Sequence, residues 1–517
     1  MAAADYDSTP YPQYAHYHTH PKTLAAIGSL LGLNNIPNIE TCRVLELGCA
    51  TGANIIAMAQ DLPNAEFIGI DYSEKQIEQG NKIIQALDLK NIALQTCSIH
   101  DIHTDFGKFD FIVAQGIYSW VPDDIKDKTL EICGNNLTDN GIAYVSHNTY
   151  PMWHLSEIVR NMMKFHSQHW TDADKKTNEA KKFLGLMAGS LPQQNSFYGD
   201  IMRFEYSKIQ GEDDSYISHD ILEDVNDPVY LHEFVSHAKK HNLQFLGDTV
   251  SLKGRLDRVP TQMAQEIKSN AIDIVEHEQY LDFFSGRRFR RTLLCNSKNT
   301  LNKVVQFQNN DSLFISSLAQ PVASQPNKSV DIINQYQLKD GTVATFNNPI
   351  AIMAMSFLTN INSNSTTYSN LVKATDDLLH STKIPQFKNE SLNKEIIAQF
   401  LNEWLLDLYA NDFISITAKP QACVNEINTH PKSSPLARHQ ASYTNVVISF
   451  DHHNIVLNEF RSKLLTLLDG THNIPDLITR MIEYEEGLGK NSSNKEKMTS
   501  RVNAALEFFA QNNLLSC

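Results

Sequence analysis

The amino-acid sequence predicts an α/β protein in which a doubly wound, mostly parallel sheet is followed by helical and winged-helix-like accessory domains. Three observations predict it. Short apolar runs of strand type alternate with helix-type runs through roughly the first 150 residues. A glycine turn, Gly48 to Gly52, joins the first strand to the first helix. Beyond residue 155 the alternation stops and helical periodicity takes over.

The first strand is the run Val44, Leu45, Leu47, which stops at Gly48; Asn54 to Ala59 then reads as a helix. Strand, glycine turn and helix in this order let backbone N–H groups and a helix N-terminus approach a ligand closely. Glu46 chooses the ligand. A carboxylate two residues before the turn favours a nucleotide bearing a free amino group, such as S-adenosyl-L-methionine, and repels a pyrophosphate. A second strand, Glu66 to Ile70, ends at Asp71, 23 residues after Gly48. An acidic residue there suits the two hydroxyls of a ribose, in NAD as well. The dinucleotide fingerprint Gly-x-Gly-x-x-Gly is absent, however, because its positions hold Gly48, Ala50 and Ala53.

Ser73 caps the next helix, on which Ile77, Gly80, Ile84 and Leu87 share a face. Asn91 to Gln95 is a third strand, followed by Ser98-Ile99-His100-Asp101-Ile102. Phe109 to Ala114 is a fourth, ending at Gln115-Gly116. Gly141 to Ser146 is a fifth, ending at His147-Asn148. Ligands of such sheets bind at the carboxyl ends of the strands, so Gly48, Asp71, Asp101, Gln115 and Asn148 are expected to converge on one crevice.

A chain of 517 residues suggests about three domains. With 42% hydrophobic and 20% charged residues it reads as a soluble globular protein. No apolar run approaches the ~20 residues that span a bilayer, and Met1 to Asp5 lacks the basic start of a signal peptide. Seven cysteines without a Cys-x-x-Cys pair read as free thiols of a reducing cytoplasm. A net charge of −15 argues against nucleic acid and anionic membranes and tolerates a basic protein partner. A homodimer is allowed.

Glu46-x-Gly48-x-Ala50-x-Gly52, Gly69-Ile70-Asp71-Tyr72-Ser73 and Phe109-Asp110-Phe111-Ile112 resemble class I S-adenosylmethionine-dependent methyltransferases. Gln115-Gly116-Ile117-Tyr118-Ser119-Trp120-Val121-Pro122, Asn148-Thr149-Tyr150-Pro151-Met152-Trp153 and Thr19-His20-Pro21 narrow the likeness. They resemble bacterial methyltransferases with a methyltransferase regulatory domain, a group that includes protein-lysine methyltransferases acting on outer-membrane proteins. The likeness runs on through His219 to Glu223, Pro228 to Tyr230, Gln279 to Phe283, Arg288 to Cys295 and Leu467 to Thr471. That family usually has tyrosine and glycine where this chain has His147 and Met152.

The resemblance implies S-adenosyl-L-methionine held by Glu46, Gly48, Ala50, Gly52, Asn54, Asp71, Tyr72, Asp101, Ile102, Gln115 and Gly116, under a lid to which Tyr17 and His20 contribute. It implies acceptor chemistry at Asn148, Tyr150, Trp153, Tyr118 and Trp120. Methyl transfer is an in-line displacement that needs positioning and a neutral nucleophile, and aromatic faces favour the cations involved. Trp120 and Trp153 read equally as packing anchors.

His16, His18 and His20 alternate without a local carboxylate or cysteine, so no metal site is expected there; the segment reads as a lid or a surface strip. Helices are expected over 156–190, broken at Trp170 to Asp174, and over Met263, Ile267, Ala271 and Ile274. Arg287, Arg288, Arg290 and Arg291 read as internal salt bridges, with an anionic partner as the alternative. Residues 296–330, rich in Asn, Ser, Gln and Pro, look like a linker or a domain edge. Near the end, Leu457, Phe460, Leu464 and Leu467 form one helical face, Gly470 ends it, Pro475 opens a second helix, and Val502 to Phe509 give a third. Residues 446–517 carry seven Lys/Arg against nine Asp/Glu, which disfavours DNA.

The expected domains are thus 1–155 (catalytic, with lid), 156–300 (helical, regulatory), 301–440 (accessory) and 441–517 (winged-helix-like). The expected function is methylation of protein lysine. A small-molecule N- or O-methyltransferase and a cofactor-binding regulatory protein without turnover are the alternatives.

Overall fold

The computed structural model describes residues 13–211, 214, 217–249, 259–302, 305–308, 310–322, 333–361, 364–381, 393–420, 427–489 and 494–516. Tyr11 and Pro12 of the lid motif, Cys423 and Cys517 lie outside the described residues.

The expected alternation is present. Helix α1 (Pro21–Leu30) precedes β1 (Arg43–Leu47), α2 (Ala53–Asp61), β2 (Glu66–Asp71), α3 (Glu74–Ala86), β3 (Ile92–Thr96), β4 (Phe109–Ala114), α4 (Asp123–Asn136) and β5 (Leu137–Asn148). The Ser73 hydroxyl accepts the Gln76 N–H at 3.2 Å and caps α3. Strands β1 to β5 pair in parallel.

The sheet extends beyond the first 150 residues, where the alternation of strands and helices predicts it to end. Its order is β3-β2-β1-β4-β5-β7-β6. The last two strands, β6 (Leu243–Asp248) and β7 (Phe289–Asn296), come from the segment expected to be helical and pair antiparallel. Both are almost wholly buried, so neither shows the polar–apolar alternation that marks a strand half in water. Adjacent arginines also disguised β7. Arg290 is fully buried, its guanidinium bonded to Asp282 at 2.7 and 2.8 Å and to Glu278 at 3.1 Å. Arg287 pairs with Asp282, and Arg288 with Glu205. Internal salt bridging therefore explains three of the four.

Between β5 and β6 lie α5 (Trp153–Ser167), α6 (Ala173–Ser190), α7 (Phe197–Ile209) and α8 (Leu231–Lys239). Asp172 caps α6 by accepting the Lys175 N–H, at the expected break. The single helix expected around Met263 to Ile274 is two, α9 (Thr261–Asn270) and α10 (Ile274–Ser285), because the Asp273 carboxylate caps a new start.

Residues 296–330 are more than a linker. Phe314–Ser317 is the central strand of a three-stranded antiparallel sheet with Thr366–Thr367 and Ile414–Thr417. That layer packs on α1, with the Ala418 N–H bonded to the Lys22 carbonyl. The C-terminal region has helices at Glu459–Thr466, Ile474–Gly487 and Lys495–Gln511, and a hairpin of Val446–Ile448 with Asn454–Val456. Leu457 and Leu467 flank the first of these helices instead of lying within it.

The two faces of the large sheet bury different cores. Val44, Phe111, Val113, Ile142 and Tyr144 face α1, α2 and the middle layer. Leu45, Leu47, Ile112, Ala143 and Val145, the intervening residues, face α4 and α8.

Candidate active site

The turn after β1 is built for close approach. Gly48 has φ +67°, and a Cβ there would lie 2.3 Å from Ile117 Cδ1. Ala50 also takes a left-handed conformation, and its N–H is bonded to Asp71 Oδ2 at 2.8 Å. The other Asp71 oxygen accepts the Ser73 N–H at 2.9 Å. One carboxylate thus ties the first two strand ends together. Gly52 leads into α2, Tyr72 is exposed, Asp101 lies in a capped turn with its side chain in solvent, and Ile102 is buried behind it. Gly116 has open space where a Cβ would point.

Asn54 is the hub. Its amide N–H groups go to Glu46 Oε1 at 2.7 Å and Thr19 Oγ1 at 3.0 Å. Its carbonyl oxygen accepts the His16 N–H at 2.8 Å and His452 Nε2–H, also at 2.8 Å. The segment before α1, the first strand and the C-terminal region meet at this one side chain. The second Glu46 oxygen, Oε2, is buried without a hydrogen-bond partner among the described residues. Burial, with the nearby Asp71 charge adding to it, raises the Glu46 carboxyl to about 7, although the Asn54 bond opposes this.

A cavity of about 260 Å³ opens beside this hub. Gln115, Tyr144 and Arg291 form its floor, Ala15 to His18 one wall, and His452, His453 and Asn454 another. The Tyr144 hydroxyl donates to Gln115 Oε1 at 2.7 Å. Tyr17 stacks on His453 with ring centroids 4.8 Å apart, and Asn454 exchanges two 2.8 Å hydrogen bonds with the Ala15 backbone. Burial and the Arg291 charge lower His16 to about 4, so its imidazole is neutral at pH 7. Although burial disfavours its charged form, His453 is raised by its hydrogen bond to Asp451.

The expected lid residues divide. Tyr17 lines the cavity; His20 caps α1 and turns to Asp61, 3.3 Å away. The three alternating histidines do not converge.

The expected acceptor residues gather elsewhere. The Asn148 N–H is bonded to Ser119 Oγ at 2.8 Å and its side-chain amide donates to Asn226 Oδ1 at 3.1 Å. The Tyr150 ring stacks on His154 at 3.9 Å, and its hydroxyl donates to Glu157 at 2.8 Å. Trp153 is buried beneath the Arg288 guanidinium, and Trp120 is buried in the turn after β4. Tyr118 lies on the far face, between His147 and Phe234, its hydroxyl 2.8 Å from His237 Nδ1. Five residues of the cavity escaped the sequence reading: Tyr144, Arg291, His452, His453 and Asn454. Only the histidine pair between two short apolar runs carried a local signal, that of a hairpin turn.

Residues 39–198 match a family described as a methyltransferase domain, 213–296 a "predicted methyltransferase regulatory domain", and 429–514 the "PKMT, C-terminal winged helix domain". The structure is similar to PKMT2 from Rickettsia typhi at 30% identity and TM-score 0.86, covering 98% of this chain and 100% of that one. This chain belongs to the PKMT family, the protein-lysine methyltransferases. It is an S-adenosylmethionine-dependent methyltransferase. PKMT2 has also been solved in complex with AdoHcy, and that structure superposes with TM-score 0.84 at 29% identity over 98% of this chain and 100% of that one. An uncharacterised protein of Rickettsia prowazekii is 33% identical over 99% of this chain and 93% of its own length. Among the described residues no helix is long and apolar enough to cross a membrane.

Proposed function

We propose that this PKMT transfers methyl groups to lysine side chains of a protein, and that the lysine enters the cavity between the lid and the C-terminal hairpin. The observation that carries the reading is the composition of that cavity: its walls come from the catalytic sheet, the lid and the C-terminal region together. A protein segment lying across the junction could be held by both walls while one side chain enters the cavity.

The glycine turn, Asp71 and Glu46 fit S-adenosylmethionine. The unpartnered Glu46 Oε2 is the acceptor that the methionine ammonium requires, and Asp71 suits the ribose. Bound there, the cofactor supplies an electrophilic methyl group on a sulfonium. The protein supplies position and a neutral amine. A lysine has pKa about 10.4 in water; the positive charge of the Arg291 guanidinium favours its uncharged form. Gln115, which the resemblance assigns to the cofactor, lines this cavity, and we assign its Oε1, held in place by Tyr144, the role of accepting a hydrogen bond from the amine.

Incubation with labelled S-adenosylmethionine and fractionated extract is expected to label protein, with methyl-lysine found on hydrolysis. Label confined to small molecules would refute the reading. Deleting the C-terminal region is a poor control, since His452 also supports Asn54; His453→Ala is the cleaner variant.

A further inference from the structure

The regulatory-domain match and the methyltransferase-domain match meet at three side chains that the catalytic site does not use. His237 lies on α8 and His241 just beyond its end, one helical turn apart, and Asp127 faces them from α4. Both Nε2 atoms converge on Asp127 Oδ1, at 2.8 and 2.7 Å, and the three ligand atoms lie within 4.8 Å of one another. We propose that Asp127, His237 and His241 bind a divalent transition-metal ion of the zinc class, which fastens α8 to α4.

Two imidazole nitrogens and one carboxylate oxygen are a donor set that suits Zn²⁺ in tetrahedral geometry, with one position left for water. The imidazoles are largely buried and the Asp127 side chain is 54% exposed, so the fourth position opens to solvent. The Tyr118 hydroxyl, 2.8 Å from His237 Nδ1, is the outer partner that fixes a ligating imidazole. In the apo state Nε2–H donates to Asp127; with metal, Nε2 gives its lone pair and Nδ1–H donates to Tyr118. Asp123, Asp227 and Glu233 add negative potential at Tyr118, and Lys126, paired with Asp123 and Asp227, is the neighbouring cation. The ion would brace Tyr118 and, through it, His147 at the end of β5.

The test uses the full-length protein after chelation and desalting, titrated with Zn²⁺ alone by calorimetry and with Co²⁺ for its visible absorption. One Zn²⁺ per chain is expected, with weakening of at least tenfold in His241→Ala and in Asp127→Asn, and a smaller loss in Tyr118→Phe. Zn²⁺ should raise the melting temperature of the wild type and not of Asp127→Asn. The variant at this exposed aspartate reports even where His241→Ala fails to fold. Equal Zn²⁺ affinity in the wild type and both ligand variants, or no binding in the wild type, would overturn the proposal.

Discussion

Polar side chains occupy both faces of the large sheet near its carboxyl edge, and the two groups are built differently. On one face Glu46, Asn54 and His452 form a network that leaves a buried carboxylate oxygen unpartnered beside a cavity. On the other, His147 bonds Thr292 at 3.1 Å and stacks on Phe234, Tyr118 bonds His237, and Arg290 is enclosed by carboxylates. Burying a charge or dipole is costly unless it is paired. Three carboxylates match the Arg290 charge, although its Nη1 makes no hydrogen bond among the described residues, so the second face reads as architecture; Glu46 Oε2 is where we propose that the cofactor ammonium binds.

The comparison is broken most forcefully at Arg290. Arg290→Ala strips buried Glu278 of its cation, leaves Asp282 with Arg287 alone, and is expected to cost ~3–5 kcal/mol of stability. Urea unfolding with a loss below 1 kcal/mol would show that this face is not held as described. Glu46→Gln should do the reverse. A carboxyl whose folded pKa is raised to about 7 contributes stability that is full below its unfolded value and is lost as pH rises through 7. The amide removes that loss, so the variant should be as stable as wild type or more so at pH 8, yet bind S-adenosylmethionine weakly. In wild type, affinity should fall up to tenfold per unit below about pH 7, because Glu46 must lose its proton to meet the ammonium. Calorimetry across pH 5.5–8 showing the same slope in both proteins would remove Glu46 from the cofactor site.

Asp71→Ala is next, with an expected ~1.5–3 kcal/mol loss in cofactor binding for hydrogen bonds to a charged group; unchanged affinity would refute the ribose assignment. Gln115→Ala and Asn148→Ala then separate the two candidate acceptor regions. If the cavity is the lysine's path, Gln115→Ala lowers kcat with cofactor affinity intact, the mark of lost transition-state positioning, and Asn148→Ala acts less. The opposite order would move the transfer point to the Asn148–Tyr150 cluster. The smallest effect, about 1 kcal/mol, is expected for His452→Ala, read as faster proteolysis of the C-terminal region.

The parallel strands and their turn were legible because the signals are local: short apolar runs, the Gly48 turn that ends β1, and the Ser73 cap, whose partner Gln76 is three residues on. Strands β6 and β7 were not, since burial on both faces erases alternation and the partners of Arg290 lie on another element. The cavity was hidden for the same reason. Tyr144 reads as one more apolar strand residue, and Arg291 as one of four like neighbours. His452 gives no hint that its partner is Asn54, 398 positions away.

That separation also sets an order of manufacture. A nascent chain has its glycine turn, its lid and Asn54 long before residue 452 leaves the ribosome. Until the last part is made and docks, Asn54 lacks one of its partners and the cavity lacks a wall. The cavity therefore acquires its third wall, and Asn54 its His452 partner, only after residues 452–454 have been made and have docked.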